Sequence, residues 1–113
     1  MGAESASKGE VELAKELAGR VAGKAESCVP TTPGQGLQVI DRRTIIYRRG
    51  ATLWVNRLAS ECPGIDPLNP LVVETHGSQY CRGDHIRGLR PGNCIPGPLC
   101  FLGDFTPYKP SGR

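Results

Sequence analysis

The chain has 113 residues, among them 15 glycines, 10 prolines and 5 cysteines, with 38% hydrophobic side chains and a formal charge of +3. That length suits one domain. The composition excludes a large apolar core, and no run is apolar enough to cross a membrane as a helix. A thin core with several cysteines is the make-up of a disulfide-stapled domain from an oxidising compartment, so periplasmic or secreted localisation is the expectation. Met1-Gly2-Ala3-Glu4 lacks the basic start and apolar stretch of an export signal, which is expected to be absent from this sequence. The charge is uneven: residues 1–27 hold four basic and five acidic side chains (−1), and the remainder holds ten and six (+4). That asymmetry favours acidic partners.

Residues 1–8 read as a disordered tail, 9–110 as a single domain and 111–113 as a second tail. Ser7 and Glu10 have capping-box spacing, and VELAKELAGRVAG then predicts a helix that stops at Gly23. Its docking face is expected to be Val11, Ala14, Leu17, Ala18 and Val21. Glu12–Lys15 and Glu16–Arg20 are spaced as favourable pairs. Residues 37–40 predict a strand. The stretch TIIYRRGATLWVNRL predicts a hairpin turning at Gly50-Ala51, with Arg49 facing Thr52, Tyr47 facing Trp54 and Ile46 facing Val55. Both hairpin faces carry apolar residues. A helix should therefore cover one and loops the other, with Trp54 largely buried.

A loop rich in proline, glycine, aspartate and asparagine follows over 59–70. Leu71 to Thr75 predicts a strand. Gly77-Ser78 reads as a turn returning Gln79-Tyr80-Cys81 beside it, with residues 84–89 continuing that strand. Residues 90–98 are turn-rich, and 99–102 predict a last short strand. Phe105 and Tyr108 are expected to close over the core.

The cysteine spacing makes no zinc box, so disulfides are expected and one thiol must be left over. Choosing the spare and pairing the rest gives fifteen arrangements. The turn at Gly77-Ser78 would carry Cys81 back toward the loop holding Cys62, which favours Cys62–Cys81. A local Cys94–Cys100 bridge is a rival. His76 and His85 could join Glu74, Cys81 and Asp84 around a metal, but two histidines near a turn read more simply as surface residues, and no metal or cofactor is expected. Cys81 with His85 could be a nucleophile and its base, yet no third orienting group is apparent. Arg82-Gly83-Asp84 is the integrin-binding tripeptide; beside a crosslinked cysteine, Gly83 reads instead as a bend. Arg42, Arg43, Arg48, Arg49, Arg57, Arg82, Arg87 and Arg90 could form a basic face for phosphate or acidic glycans. Few aromatic residues accompany them, so nucleic acid is not an expected partner.

The segments LAGRVAGKAESCVP, WVNRL, CPG, QYCRGDHIR and CFLGDFTPY together resemble a family of small uncharacterised exported proteins of Gram-negative bacteria, over Leu13 to about Pro110. Its most distinctive motifs are C-R-G-D and C-x-L-G-D-F-x-P-Y. The resemblance implies that the recurring cysteines are Cys28, Cys62, Cys81 and Cys100. It thereby implies a Cys28–Cys100 bond and leaves Cys94 as the free thiol. It implies no activity.

The resulting expectation is an α+β, disulfide-stapled fold: an N-terminal helix on a small twisted antiparallel sheet with enough short strands to curl toward a barrel. The expected function is a non-enzymatic binding or structural module, partnered by a protein or an anionic envelope component. The alternative is an enzyme of unrecognised type with its site near Cys81, Asp84 and His85. An enzyme would show a concave site with converging polar groups, whereas a module could be convex with a basic or apolar patch.

Overall fold

The computed structural model describes residues 11–31, 36–75, 77–89 and 97–110. At its centre are β4 (Thr44–Arg49) and β5 (Thr52–Arg57), joined through Gly50 at a left-handed φ of 61°. Their register sets Arg49 opposite Thr52, Tyr47 opposite Trp54 and Ile46 opposite Val55, as the turn chemistry predicts. β3 (Gln38–Asp41) flanks β4, and β10 (Phe105–Pro110) flanks β5. β1 (Arg20–Ala22) completes an antiparallel sheet of order β1-β10-β5-β4-β3. Two smaller sheets accompany it. One pairs β2 (Cys28–Pro30) with β7 (Gln79–Cys81). The other is β6 (Leu71–Glu74), β8 (His85–Gly88) and β9 (Cys100–Phe101), in the order β6-β8-β9.

The two faces of the large sheet carry separate cores, because side chains alternate along each strand. One face presents Ile46, Leu53, Val55 and Ile40, and the helix α1 (11–17) seals it with Leu13 and Leu17. The other face presents Ile45, Tyr47, Val39 and Phe105. The small sheets and the 58–65 loop cover it with Val29, Ile86, Leu58, Cys62 and Ile65. Hence all of Thr44 to Tyr47 is buried.

The helix is shorter than its sequence pattern suggests. Gly19 takes φ 75° and breaks it, and Arg20–Ala22 leave to pair with β10. The docking residue is Leu13, 2% exposed, whereas Val11, Ala14 and Ala18 face solvent. Val21 lies on β1, 58% exposed. Glu16 reaches across to Arg48 at 2.6 Å instead of Arg20. The Arg20 guanidinium donates to the carbonyls of Glu16, Ala51 and Tyr108. The expected Ser7–Glu10 cap lies outside the described residues.

β10 is a full six-residue strand inside the sheet, although Pro107 sits in its middle. The Pro107 carbonyl accepts from the Gly23 N–H at 2.7 Å. In an antiparallel strand the N and O of one residue point to the same side, so the missing N–H faces the β1 side, just past the Ala22–Tyr108 pair. The ladder with β5 therefore loses nothing. Among the described residues the sheet does not close into a barrel: β1 is three residues long and β3 is bulged between Val39 and Asp41.

The disulfides are Cys28–Cys81 and Cys62–Cys100, which corrects both expected pairings. The cause is strand partnership. β6 pairs with β8, matching Val73 to Ile86, and not with β7. The chain turns at Gly77 (φ 87°), lays β7 against β2 with Cys81 opposite Cys28, then turns again at Gly83 (φ 89°) to return as β8. Cys62 is left to meet Cys100 on β9. Three glycines allow that approach: Gly97 N–H donates to the Gly88 carbonyl at 2.7 Å, and a methyl on Gly88 would overlap the Gly64 carbonyl. Cys94 lies outside the described residues.

Candidate functional site

The residues around Cys81, Asp84 and His85 are spent on structure. The Cys81 sulfur is bonded to Cys28. The buried Asp84 carboxylate accepts the Cys81 N–H at 2.8 Å, and the Asp84 N–H donates to the Cys81 carbonyl at 3.0 Å. Gly83 sits in this turn with its N–H on the Leu102 carbonyl. Arg82 is exposed while Asp84 is turned inward, so the Arg-Gly-Asp tripeptide does not present its carboxylate. His85 faces Glu74 at 3.3 Å and meets the Phe101 ring edge-on. Among the described residues no group of three His, Cys, Asp or Glu side chains is placed to hold a metal. His76 and Arg90 lie outside the described residues.

Several of the arginines are engaged within the fold. Arg48 is paired to Glu16 and Arg82 to Asp104. Arg43 donates to the carbonyls of Leu58 and Ala59, which straps the loop leading to Cys62. Of that set, Arg49 alone lines the open groove found elsewhere on the molecule.

This groove lies on the large sheet, at the end of the face that the small sheets do not reach. It encloses about 380 Å³ and is lined by Val21, Gly23, Lys24, Glu26, Arg49, Thr52, Trp54, Pro107 and Lys109. Strand register explains the set. Val21 is opposite Lys109 and Arg49 is opposite Thr52. Extending the Tyr108–Leu53 register by one residue sets Lys109 beside Thr52. Val21, Lys109, Thr52 and Arg49 thus form one row across four strands. Trp54 and Pro107, opposite each other, form the next row inward. With strands about 4.8 Å apart, the backbones of Arg49 and Lys109 stand roughly 10 Å apart, on either side of the column that carries Trp54.

Trp54 is half-buried: its inner side packs on the core, and the rest forms the groove floor. Trp54 packs on the core cluster that holds Tyr47, as expected, and keeps part of its surface in the groove. Tyr47, opposite Trp54, is fully buried and meets the Tyr80 ring edge-on at 5.3 Å. Burial, followed by the nearby Tyr47, pushes the Tyr80 hydroxyl above its ordinary pKa. Lys24 and Glu26 reach the groove because β1 ends at Ala22 and, past the Gly23–Pro107 hydrogen bond, the chain next meets β10 at the Glu26–Phe105 bridge.

Among the described residues, Lys24, Arg49 and Lys109 make no side-chain hydrogen bond or ion pair. Three cations and one carboxylate therefore surround an apolar floor of Val21, Trp54 and Pro107. Such a set binds and orients a ligand. It supplies no histidine or cysteine as nucleophile or base. Sequence reasoning found Arg49 but assigned Val21 to a helix and set Lys109 beyond the last structured element. The available signal was the alternation of Phe105, Pro107 and Lys109 along one strand face.

Among the described residues no helix is long and apolar enough to cross a membrane. Comparison with family models, curated proteins and solved structures produced no match. The class is therefore defined by geometry: an antiparallel, disulfide-bonded domain with one short helix and an open cationic groove.

Proposed function

We propose that this protein is a non-enzymatic binding module of an exported compartment, periplasmic or secreted, and that the groove floored by Trp54 takes an anionic ligand. The observation that carries the reading is the trio of unpaired cations, Lys24, Arg49 and Lys109, around a half-buried indole. Arg20, Arg43, Arg48 and Arg82 are tied to carboxylates or carbonyls, whereas these three are unpaired and gathered around one groove. Two disulfides support the oxidising compartment. The resemblance carried by the C-R-G-D and C-x-L-G-D-F-x-P-Y segments points to the same export.

Trp54 is the chain's one tryptophan, so its emission reports on this groove. Dextran sulfate titrated into the oxidised protein should change that emission saturably and should bind less tightly as salt is raised. Uncharged dextran should leave it unchanged. A flat response to dextran sulfate at low salt would overturn the proposal.

A further inference from the structure

Resting on that reading, we infer that the natural ligand is an acidic oligosaccharide, held by a pyranose ring stacked on Trp54 with carboxylates toward Arg49 and Lys109. Three features favour a saccharide over an acidic peptide. First, the groove lies on a sheet face. The backbone groups of β5 and β10 beneath it are engaged in ladders, and Pro107 has no N–H to offer. Peptides added to sheets gain affinity from backbone hydrogen bonds at a free edge, which β5 and β10 beneath Trp54 do not provide. Recognition here falls to side chains, as sugar hydroxyls and carboxylates require.

Second, the apolar floor is small. Val21, Trp54 and Pro107 offer the C–H face of a sugar ring an aromatic surface with apolar margins. The cations on its two sides are roughly 10 Å apart at the backbone, so anionic groups flanking one stacked ring can be met from both sides. Third, Glu26 stands among the cations. It would repel a carboxylate of either ligand, whereas a sugar hydroxyl, which an acidic peptide lacks, can donate to it. Thr52 adds a neutral donor and acceptor on the same floor.

The test follows Trp54 emission in the full oxidised chain with three probes: trigalacturonate, maltotriose and triglutamate. Trigalacturonate should bind saturably and about tenfold tighter than triglutamate, the worth of one charge-assisted hydrogen bond. Maltotriose should not saturate. Glu26→Gln should weaken trigalacturonate and strengthen triglutamate, and Arg49→Gln should weaken both. These exposed positions leave the fold in place, which circular dichroism checks. Triglutamate binding as tightly as trigalacturonate overturns the saccharide inference and leaves the anionic groove standing. Absence of trigalacturonate binding also overturns it. If dextran sulfate fails as well, the proposed function falls with it.

Discussion

The two ends of one sheet face are built from the same strands and have opposite fates. At the covered end, Ile45, Tyr47, Asn56 and Phe105 lie beneath the small sheets, with 0% exposure and polar atoms engaged. At the open end, one row beyond the Tyr47–Trp54 pair, Arg49, Thr52 and Lys109 have no such roof. The difference is where the disulfide-stapled layer stops. Strands of two to four residues hold little apolar area, so that layer relies on Cys28–Cys81 and Cys62–Cys100, while the strands of the large sheet carry no cysteine. Substitutions at the covered end should therefore unfold the protein, and those at the open end should change what it binds.

The largest expected effect is at Tyr47. Its hydroxyl donates to the Pro30 carbonyl at 2.8 Å, and its ring fills the core under Tyr80. Tyr47→Ala should cost about 3–5 kcal/mol, read from urea unfolding. A loss under about 1 kcal/mol, by contrast with that range, would place the ring outside the core. Removing one crosslink by Cys62→Ser with Cys100→Ser comes next. It opens a loop spanning 38 residues, worth about 4 kcal/mol on the chain-entropy model. Peptide mapping under non-reducing conditions should recover Cys62 with Cys100. A Cys62–Cys81 peptide would contradict the covered end as described.

Asn56 is a smaller and more local test. Its side chain clamps Gly103 twice, donating to the carbonyl and accepting from the N–H, each at 2.7 Å. Asn56→Ala would orphan both backbone groups and should cost about 2–3 kcal/mol, with faster amide exchange at Gly103 as the specific sign. Gly103 itself has no room for a methyl, which would meet the Arg57 carbonyl at 2.6 Å.

The smallest effect is a pH dependence. The Tyr80 pKa is raised in the folded protein, so the folded state holds this proton more tightly than the unfolded chain. Its contribution is complete below the ordinary value of 10.0 and is lost as pH rises through the higher folded value. Stability should thus fall as pH rises from 10.0 through the higher folded value, and Tyr80→Phe should flatten the fall. An unchanged slope in Tyr80→Phe would remove Tyr80 as its source.

The central hairpin was legible because its signals are local: β-branched and aromatic runs and a glycine turn set a register that the structure keeps. What was not legible depends on competition between distant partners. Val73 could pair with the next strand or the one after, and that choice moved Cys81 from Cys62 to Cys28. Gly19 and Gly23 both suit a helix stop, and only the free edge of β10 decides that Arg20–Ala22 become a strand. The groove inherits both difficulties. Its residues come from β1, the 23–26 segment after it, β4, β5 and β10, and two of those strands were hidden by a helical spacing and by Pro107 and Pro110.

The measurement that tests the contrast most directly uses one double variant, Arg49→Gln with Lys109→Gln. Urea unfolding and dextran sulfate affinity are measured on the same preparation. Stability should stay within about 0.5 kcal/mol of the parent, because both side chains are exposed and unpaired. Affinity should fall by about a hundredfold, since each substitution removes one charge-assisted hydrogen bond to the ligand. Unchanged affinity, or a stability loss as large as that of Asn56→Ala, would contradict the division between a covered end that holds the fold and an open end that binds.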